Sequence, residues 1–288
     1  MIFALTAALG WGVADFLGAL STRRNGVTST ILLVQVAGLA VLGCLALGSP
    51  PHHPPVPDRD LVMLAVGGVL GAAAFFGFYR ALQLGPVALV SPIFAAYSAV
   101  TVILAFVVTG EVLSSTALGG VTVTIAGVVM ASMTGSPEPG VVGGRRGIPF
   151  AIAAMIGWGV ASYITGRYAQ RLGWYYPVMV TRVVEVVVVG LVGLVLAGLG
   201  RDRGRPGEPL RWRYGVPLLA GVFDIVALLA FSRGSQLGLV SIVSAASASF
   251  PLIVVAGGIV VFHERPRPIQ WVGVACTIGG LILLGLGS

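Results

Sequence analysis

Apolar residues fall in long unbroken stretches, separated by short segments that hold most of the Arg, Asp and Pro. In the first half these stretches are Ile2 to Leu20, Val27 to Gly48, Leu61 to Tyr79, Val87 to Thr109 and Ser115 to Met133. The second half repeats the rhythm with Ile148 to Gly166, Pro177 to Leu199, Gly215 to Phe231, Leu239 to Phe262 and Ile269 to Gly287. Each is long enough to cross ~30 Å of hydrocarbon as a helix. Barrel strands would instead be ~10-residue segments alternating apolar with polar positions. The pattern predicts an all-α integral membrane protein of ten transmembrane helices. The first stretch lacks a basic segment before Ile2 and has a copy in mid-chain, so it is expected to be retained as a span and not removed as a signal peptide.

The halves are related in sequence. Gly10-Trp11-Gly12-Val13-Ala14 recurs as Gly157-Trp158-Gly159-Val160-Ala161 at an offset of 147. At an offset of 153, Phe78, Arg80, Gln83, Leu84 and Gly85 recur as Phe231, Arg233, Gln236, Leu237 and Gly238, and Thr124-Ile125 with Gly127 recurs as Thr277-Ile278 with Gly280. Residues 1–135 and 148–288 are therefore two five-helix repeats joined by a linker over 136–147. An odd number of spans per copy makes the second enter the membrane from the opposite side. Such inverted repeats are the architecture of many secondary transporters.

Composition narrows the chemistry. Of 288 residues 9% are charged and 57% hydrophobic, with mean hydropathy +0.99, too few polar groups to cover a water-soluble surface. All 17 basic residues are Arg, which removes the P-loop lysine and lysine-nucleophile chemistry and so excludes an ATP-driven pump within this chain. The net charge of +7 sits mostly in loops beside span ends, where arginines contact lipid headgroups and set topology; a nucleic-acid surface is not expected. Cys44 and Cys276 fall inside spans, and His52-His53 stands in a proline-rich stretch without further ligands, so no metal site or cofactor is expected.

Trp11-Gly12-Val13-Ala14-Asp15-Phe16, Tyr79-Arg80-Ala81-Leu82 followed by Gly85-Pro86, Gly110-Glu111 and His263-Glu264-Arg265-Pro266 together resemble the drug/metabolite transporter superfamily, in its ten-helix EamA-type branch. The resemblance covers essentially the whole chain. It implies a multi-pass protein of the cell membrane, a bacterial cytoplasmic membrane in particular. It also implies secondary transport of a metabolite, amino acid or drug-like compound, commonly export, through a pocket walled by spans 1, 3, 4, 6, 8 and 9. The substrate and the oligomeric state are left open.

Ionisable residues at membrane depth are costly and usually face a cavity or a partner. Arg182 and Glu185 are three apart on one helix face and are expected to form a structural ion pair. Asp15 and Asp224 align with Ser162 and Gly71, so neither has an acidic repeat mate. Asp224, near mid-span, is the expected proton carrier; Asp15 suits a substrate ammonium beside Trp11. Pro92 and Pro251 are expected to kink spans 4 and 9, freeing the carbonyls of Ala88 and Ser247. Trp158, Tyr163 and Tyr97 extend the candidate aromatic lining, and Ser241, Ser244 and Ser247 form a small polar stripe on span 9. Glu111 and Glu264 precede the last span of each half, where a carboxylate suits a helix N-terminus.

Two other function classes compete with transport. In an intramembrane aspartyl protease, Asp15 and Asp224 would share a proton within a few ångströms of each other. Gly221-Val222-Phe223-Asp224 departs from the Gly-x-Gly-Asp pattern, however, and a protease leaves the inverted repeat unexplained. A non-transporting scaffold or receptor would show no flux. Orientation divides two arguments: twelve of the 17 arginines lie in odd-numbered loops, against Arg59, Arg167, Arg171 and Arg233 on the other side. The positive-inside bias then places both termini outside, whereas the family resemblance implies inside. Reporter fusions should find the two termini on one face; opposite faces would overturn the count of ten.

Overall fold

The computed structural model describes residues 1–48, 56–84, 90, 93–132, 146–198, 211–253 and 268–287. Among the described residues are ten α-helices. In the first half these are α1 (Ile2–Asn25), α2 (Val27–Gly48), α3 (Asp58–Leu84), α4 (Tyr97–Thr109) and α5 (Ser115–Ser132). The second half contributes α6 (Ile148–Leu172), α7 (Tyr175–Gly198), α8 (Val216–Leu237), α9 (Val240–Ser247) and α10 (Pro268–Gly287). A π-helical turn, Arg211–Gly215, leads into α8. Six helices, α1–α3 and α6–α8, are individually long and apolar enough to cross a bilayer. Large apolar side chains on the outside, among them Val107 on α4, Leu194 on α7 and Ile282 on α10, match a lipid solvent.

Several helices outrun the apolar stretches that announce them. α1, α3, α6 and α8 continue for three to six residues through polar positions such as Arg80, Arg167 and Arg233. Hydropathy marks the hydrocarbon thickness, whereas the backbone stays helical until a residue stops it. Gly26 and Gly173, repeat mates, end α1 and α6 with φ of 82° and 85°, a region that costs other residues conformational energy.

The halves are interleaved. α1 packs on α8 as α6 packs on α3; α2 packs on α8 as α7 packs on α3; α4 lies on α6 as α9 lies on α1; and α5 pairs with α10. Exchanging helix n with helix n+5 reproduces the set, as a pseudo-two-fold relation requires.

The repeated Gly-Trp-Gly explains this closeness. A Cβ at Gly10 would lie 2.9 Å from the Phe223 carbonyl oxygen on α8, and one at Gly157 3.3 Å from the Leu70 oxygen on α3. A Cβ at Gly12 would meet the Phe250 oxygen at 2.9 Å, and one at Gly159 the Tyr97 oxygen at 2.7 Å. Leu70 and Phe223, and Tyr97 and Phe250, are themselves mates at the 153 offset. Each glycine thus admits a helix of the opposite half to backbone contact, the means by which membrane helices gain dispersion energy without a hydrophobic driving force. Gly127 over Thr277 and Gly280 over Thr124 do the same between α5 and α10.

Spans 4 and 9 are both interrupted. Ala96 and Ala99 bond to carbonyls three residues back, at Ile93 and Ala96; their mates Ser249 and Leu252 do so to Ala246 and Ser249. The tighter three-residue turn occupies the same place in both copies. The prolines do not. Pro251 lies within the turns of span 9, between Phe250 and Leu252, while Pro92 lies outside the described residues. Ser247 also keeps its carbonyl occupied, accepting from the Phe250 N–H at 3.3 Å.

Glu111 acts elsewhere than its sequence position indicates. Its carboxylate accepts from the Val240 and Ser241 N–H groups at 3.0 and 3.1 Å and from the Ser241 hydroxyl at 2.6 Å, capping α9 of the other half instead of α5 beside it. Glu264 lies outside the described residues.

Replacing Gly159 by Val should lower thermal stability in detergent by the ~1–3 kcal/mol of an overpacked core or more, because the added Cβ would meet Val100 Cβ at 2.6 Å. Gly43→Ala, with nothing within 4 Å, serves as the neutral comparison. Equal melting of the two variants would contradict the packing.

Candidate functional site

Between the halves lies a narrow pocket lined by Trp11 and Asp15 of α1, Phe75 and Phe78 of α3, Phe94 and Tyr97 of span 4, Trp158 of α6, Asp224 of α8 and Phe250 of span 9. The elements deliver these side chains by simple spacings. Phe75 and Phe78 are three apart on α3, and Trp11 and Asp15 are four apart on α1, so each pair shares a helix face. The α-turn before Tyr97 brings Phe94 onto the same wall.

The aromatic rings contact one another around the opening. Trp11 meets its repeat mate Trp158 edge-on at 6.2 Å and Tyr97 at 6.4 Å. Phe78 stacks on Phe94 at 4.2 Å, Phe75 meets Trp158 edge-on at 5.0 Å, and Phe94 reaches Phe250 at 6.5 Å. The two interrupted spans touch here, Tyr97 Oη lying 3.3 Å from Ser247 Oγ. Trp11 Nε1, although buried, has no hydrogen-bond partner among the described residues.

The two pocket carboxylates differ in their surroundings. Asp224 is 4% exposed and accepts a hydrogen bond from Arg182 Nη2 at 2.6 Å. Asp15 is half-buried and makes no hydrogen bond or ion pair with the described residues. Arg182 holds Asp224 in an ion pair, a partner that the acid–acid contact of an aspartyl-protease dyad does not include.

Arg182 is the centre of a larger cluster. Fully buried on α7, it also lies 3.5 Å from Glu185, the expected ion pair, but the shorter contact is to Asp224 on α8, which the sequence did not offer it. Glu185 faces a second narrow pocket on the other side of Trp158, with Ser162, Thr165 and Thr181. That pocket is the repeat image of the first in several places, Ser162 standing where Asp15 does and Leu228 where Phe75 does.

Other expected site residues lie apart. Tyr163 packs with Leu64, Ala105 and Leu172 away from both pockets. Ser244 is buried with its hydroxyl unpartnered, and Ser241 is taken by Glu111. The sequence reading missed Phe75, Phe78, Phe94 and Phe250 as lining; the spacing of three between Phe94 and Tyr97, and the repeat relation of Phe250 to Tyr97, were the available signals.

A ten-helix membrane bundle of two interleaved halves around a small polar-aromatic pocket defines a transporter of small solutes. The model of the EamA-like transporter family matches residues 1–133 and 145–286, and the chain belongs to that family, within the drug/metabolite transporter superfamily. No curated protein matches. A solved structure described only as "Crystal structure of protein" shares the fold, with a TM-score of 0.76 over 99% of this chain and 96% of its own at 20% identity.

Truncating Arg182 to Met should strand two buried carboxylates, and removing one partner of a buried ion pair costs about 3–5 kcal/mol. Thermal unfolding in detergent checks this; a melting temperature within a degree or so of the parent would mean the charges are hydrated and not buried.

Proposed function

We propose that this chain is a secondary transporter that exports a small organic cation across the cell membrane by alternating access, in exchange for protons. The observation that carries the reading is Asp15, a carboxylate without a partner among the described residues that lines an aromatic pocket between the halves. Arg182 offsets the charge of Asp224, so Asp15 supplies the pocket's uncompensated negative charge. Indole and phenyl faces attract an ammonium or phosphonium group through their quadrupoles, worth ~0.5–2 kcal/mol per desolvated contact.

Asp224 was the expected proton carrier, but its bond to Arg182 favours the alternative. At Asp15 a proton and a cationic substrate compete for one site, which by itself couples an inward proton to an outward cation. Pseudosymmetric halves that exchange conformations would expose that site alternately to each side. Export and a cell-membrane location are the directions the family resemblance supports.

The test uses the full chain in liposomes with tetraphenylphosphonium as the probe. Under an imposed pH gradient the parent protein should move the probe uphill, and Asp15→Asn should weaken its binding ~10-fold or more, about 1.4 kcal/mol. Equal binding by the parent and Asp15→Asn would refute the assignment.

A further inference from the structure

We infer that Glu185, Arg182 and Asp224 form a second, proton-binding site, in which the two carboxylates share one proton beside the guanidinium. The inference does not depend on the Asp15 reading.

The argument begins from charge counting. Arg182 is 0% exposed, Glu185 and Asp224 4% each. A guanidinium cannot be deprotonated in a protein, so the cluster is +1 before its acids are considered. Two ionised carboxylates would leave a net negative charge with no second cation beside it among the described residues. Isolated buried charges are neutralised by a proton instead. One proton on the pair brings the sum to zero.

The neighbours contain nothing else that does this. Glu185 is faced by Gln35 and Gly71 of the first half and by Asp224 of α8. Asp15 and the Tyr79 hydroxyl, the other titratable groups near Asp224, carry no positive charge. Arg182 is the only basic residue near either acid among the described residues.

Independent geometry shows that the cluster has unused capacity. Among the described residues Glu185 Oε2 and both polar atoms of Gln35, which is 0% exposed, form no hydrogen bond of good distance and angle, although the Gln35 amide stands near enough to Glu185 to interact with it. Arg182 donates to Asp224, while its Nη1 stands 3.5 Å from Glu185 without forming a hydrogen bond. This is the arrangement expected when Asp224 is the ionised member and Glu185 carries the proton. Loss of that proton to the second pocket turns the carboxyl into a carboxylate that competes with Asp224 for the guanidinium. Because Asp224 also lines the aromatic pocket, the protonation of Glu185 reaches the substrate.

Infrared pH-difference spectra of the full chain in liposomes, without substrate, read the proton directly as the carbonyl stretch of a protonated carboxyl that shifts in D2O. Recorded in an Asp15→Asn background, so that a proton on Asp15 adds no band of its own, the band should be present and should be lost on adding either Glu185→Gln or Asp224→Asn, since either change leaves one acid to balance one guanidinium. Survival of the band after either addition, or its absence from Asp15→Asn at every pH, overturns the inference. If Glu185→Gln does not fold, Glu185→Asp takes its place. It retains a carboxyl in a shorter side chain and must shift the band; an unshifted band counts against the site. Failure of tetraphenylphosphonium transport leaves these spectra untouched, so the two readings fail separately.

Discussion

Arg182 imposes the constraint around which the centre of this protein is built. A permanently charged group buried among membrane helices is tolerated only with acidic partners beside it, and both are supplied by the second half, Glu185 from the same helix and Asp224 from α8. Room for them comes from the first half. Gln35, Gly38 and Gly71 are the repeat mates of Arg182, Glu185 and Asp224. A Cβ at Gly38 would lie 3.3 Å from the Arg182 guanidinium carbon, and one at Gly71 would run into Glu185. The charges of one copy therefore fill the space that the other copy leaves empty, and the ancestral symmetry is retained in backbone while broken in charge.

That division also explains the two pockets. The glycine contacts of α1 with span 9 and of α6 with span 4 are alike to the residue, so dispersion energy does not distinguish the halves. The electrostatics do. Asp15 has no partner and opens to one pocket; Glu185 opens to the other, where Ser162 replaces the aspartate. Trp158 forms a wall of both. In the proposed motion of one half against the other, the bias between conformations would therefore come from where charge and proton reside.

Much of this architecture was legible in the sequence because bilayer thickness fixes span length and because a Trp flanked by glycines repeats visibly. Positions on one helix were also legible, which is why the Arg182–Glu185 pair was expected. The bond from Arg182 to Asp224 was not, since 42 residues and a change of helix separate them and hydropathy carries no information on which faces meet. Glu111 failed for the same reason: its neighbour in sequence is α5, whereas the interleaving of halves delivers it to α9. Proline marked the interruption of span 9, where Pro251 lies inside the turns, whereas Pro92 lies outside the described residues. The three-residue turns are mates at Ala96 and Ser249, yet Pro92 and Pro251 are not mates under the same offset, so the break belongs to the repeat.

The position of the charges relative to the symmetry has a mechanical consequence. In the alternating access proposed above, halves that rock around a central site would displace it less than their outer helices. Arg182 meets Gly38, and Glu185 meets Gly71 and faces Gln35, each a mate of another member of the cluster, which is the signature of residues close to the pseudo-two-fold axis. A buried guanidinium placed there keeps its anionic partners throughout the motion. One carried on a peripheral helix would have to leave them, at the several kcal/mol per unpaired ion that burial imposes. The cluster can thus be permanent, while the unpaired Asp15, open to the pocket, is free to change its partner.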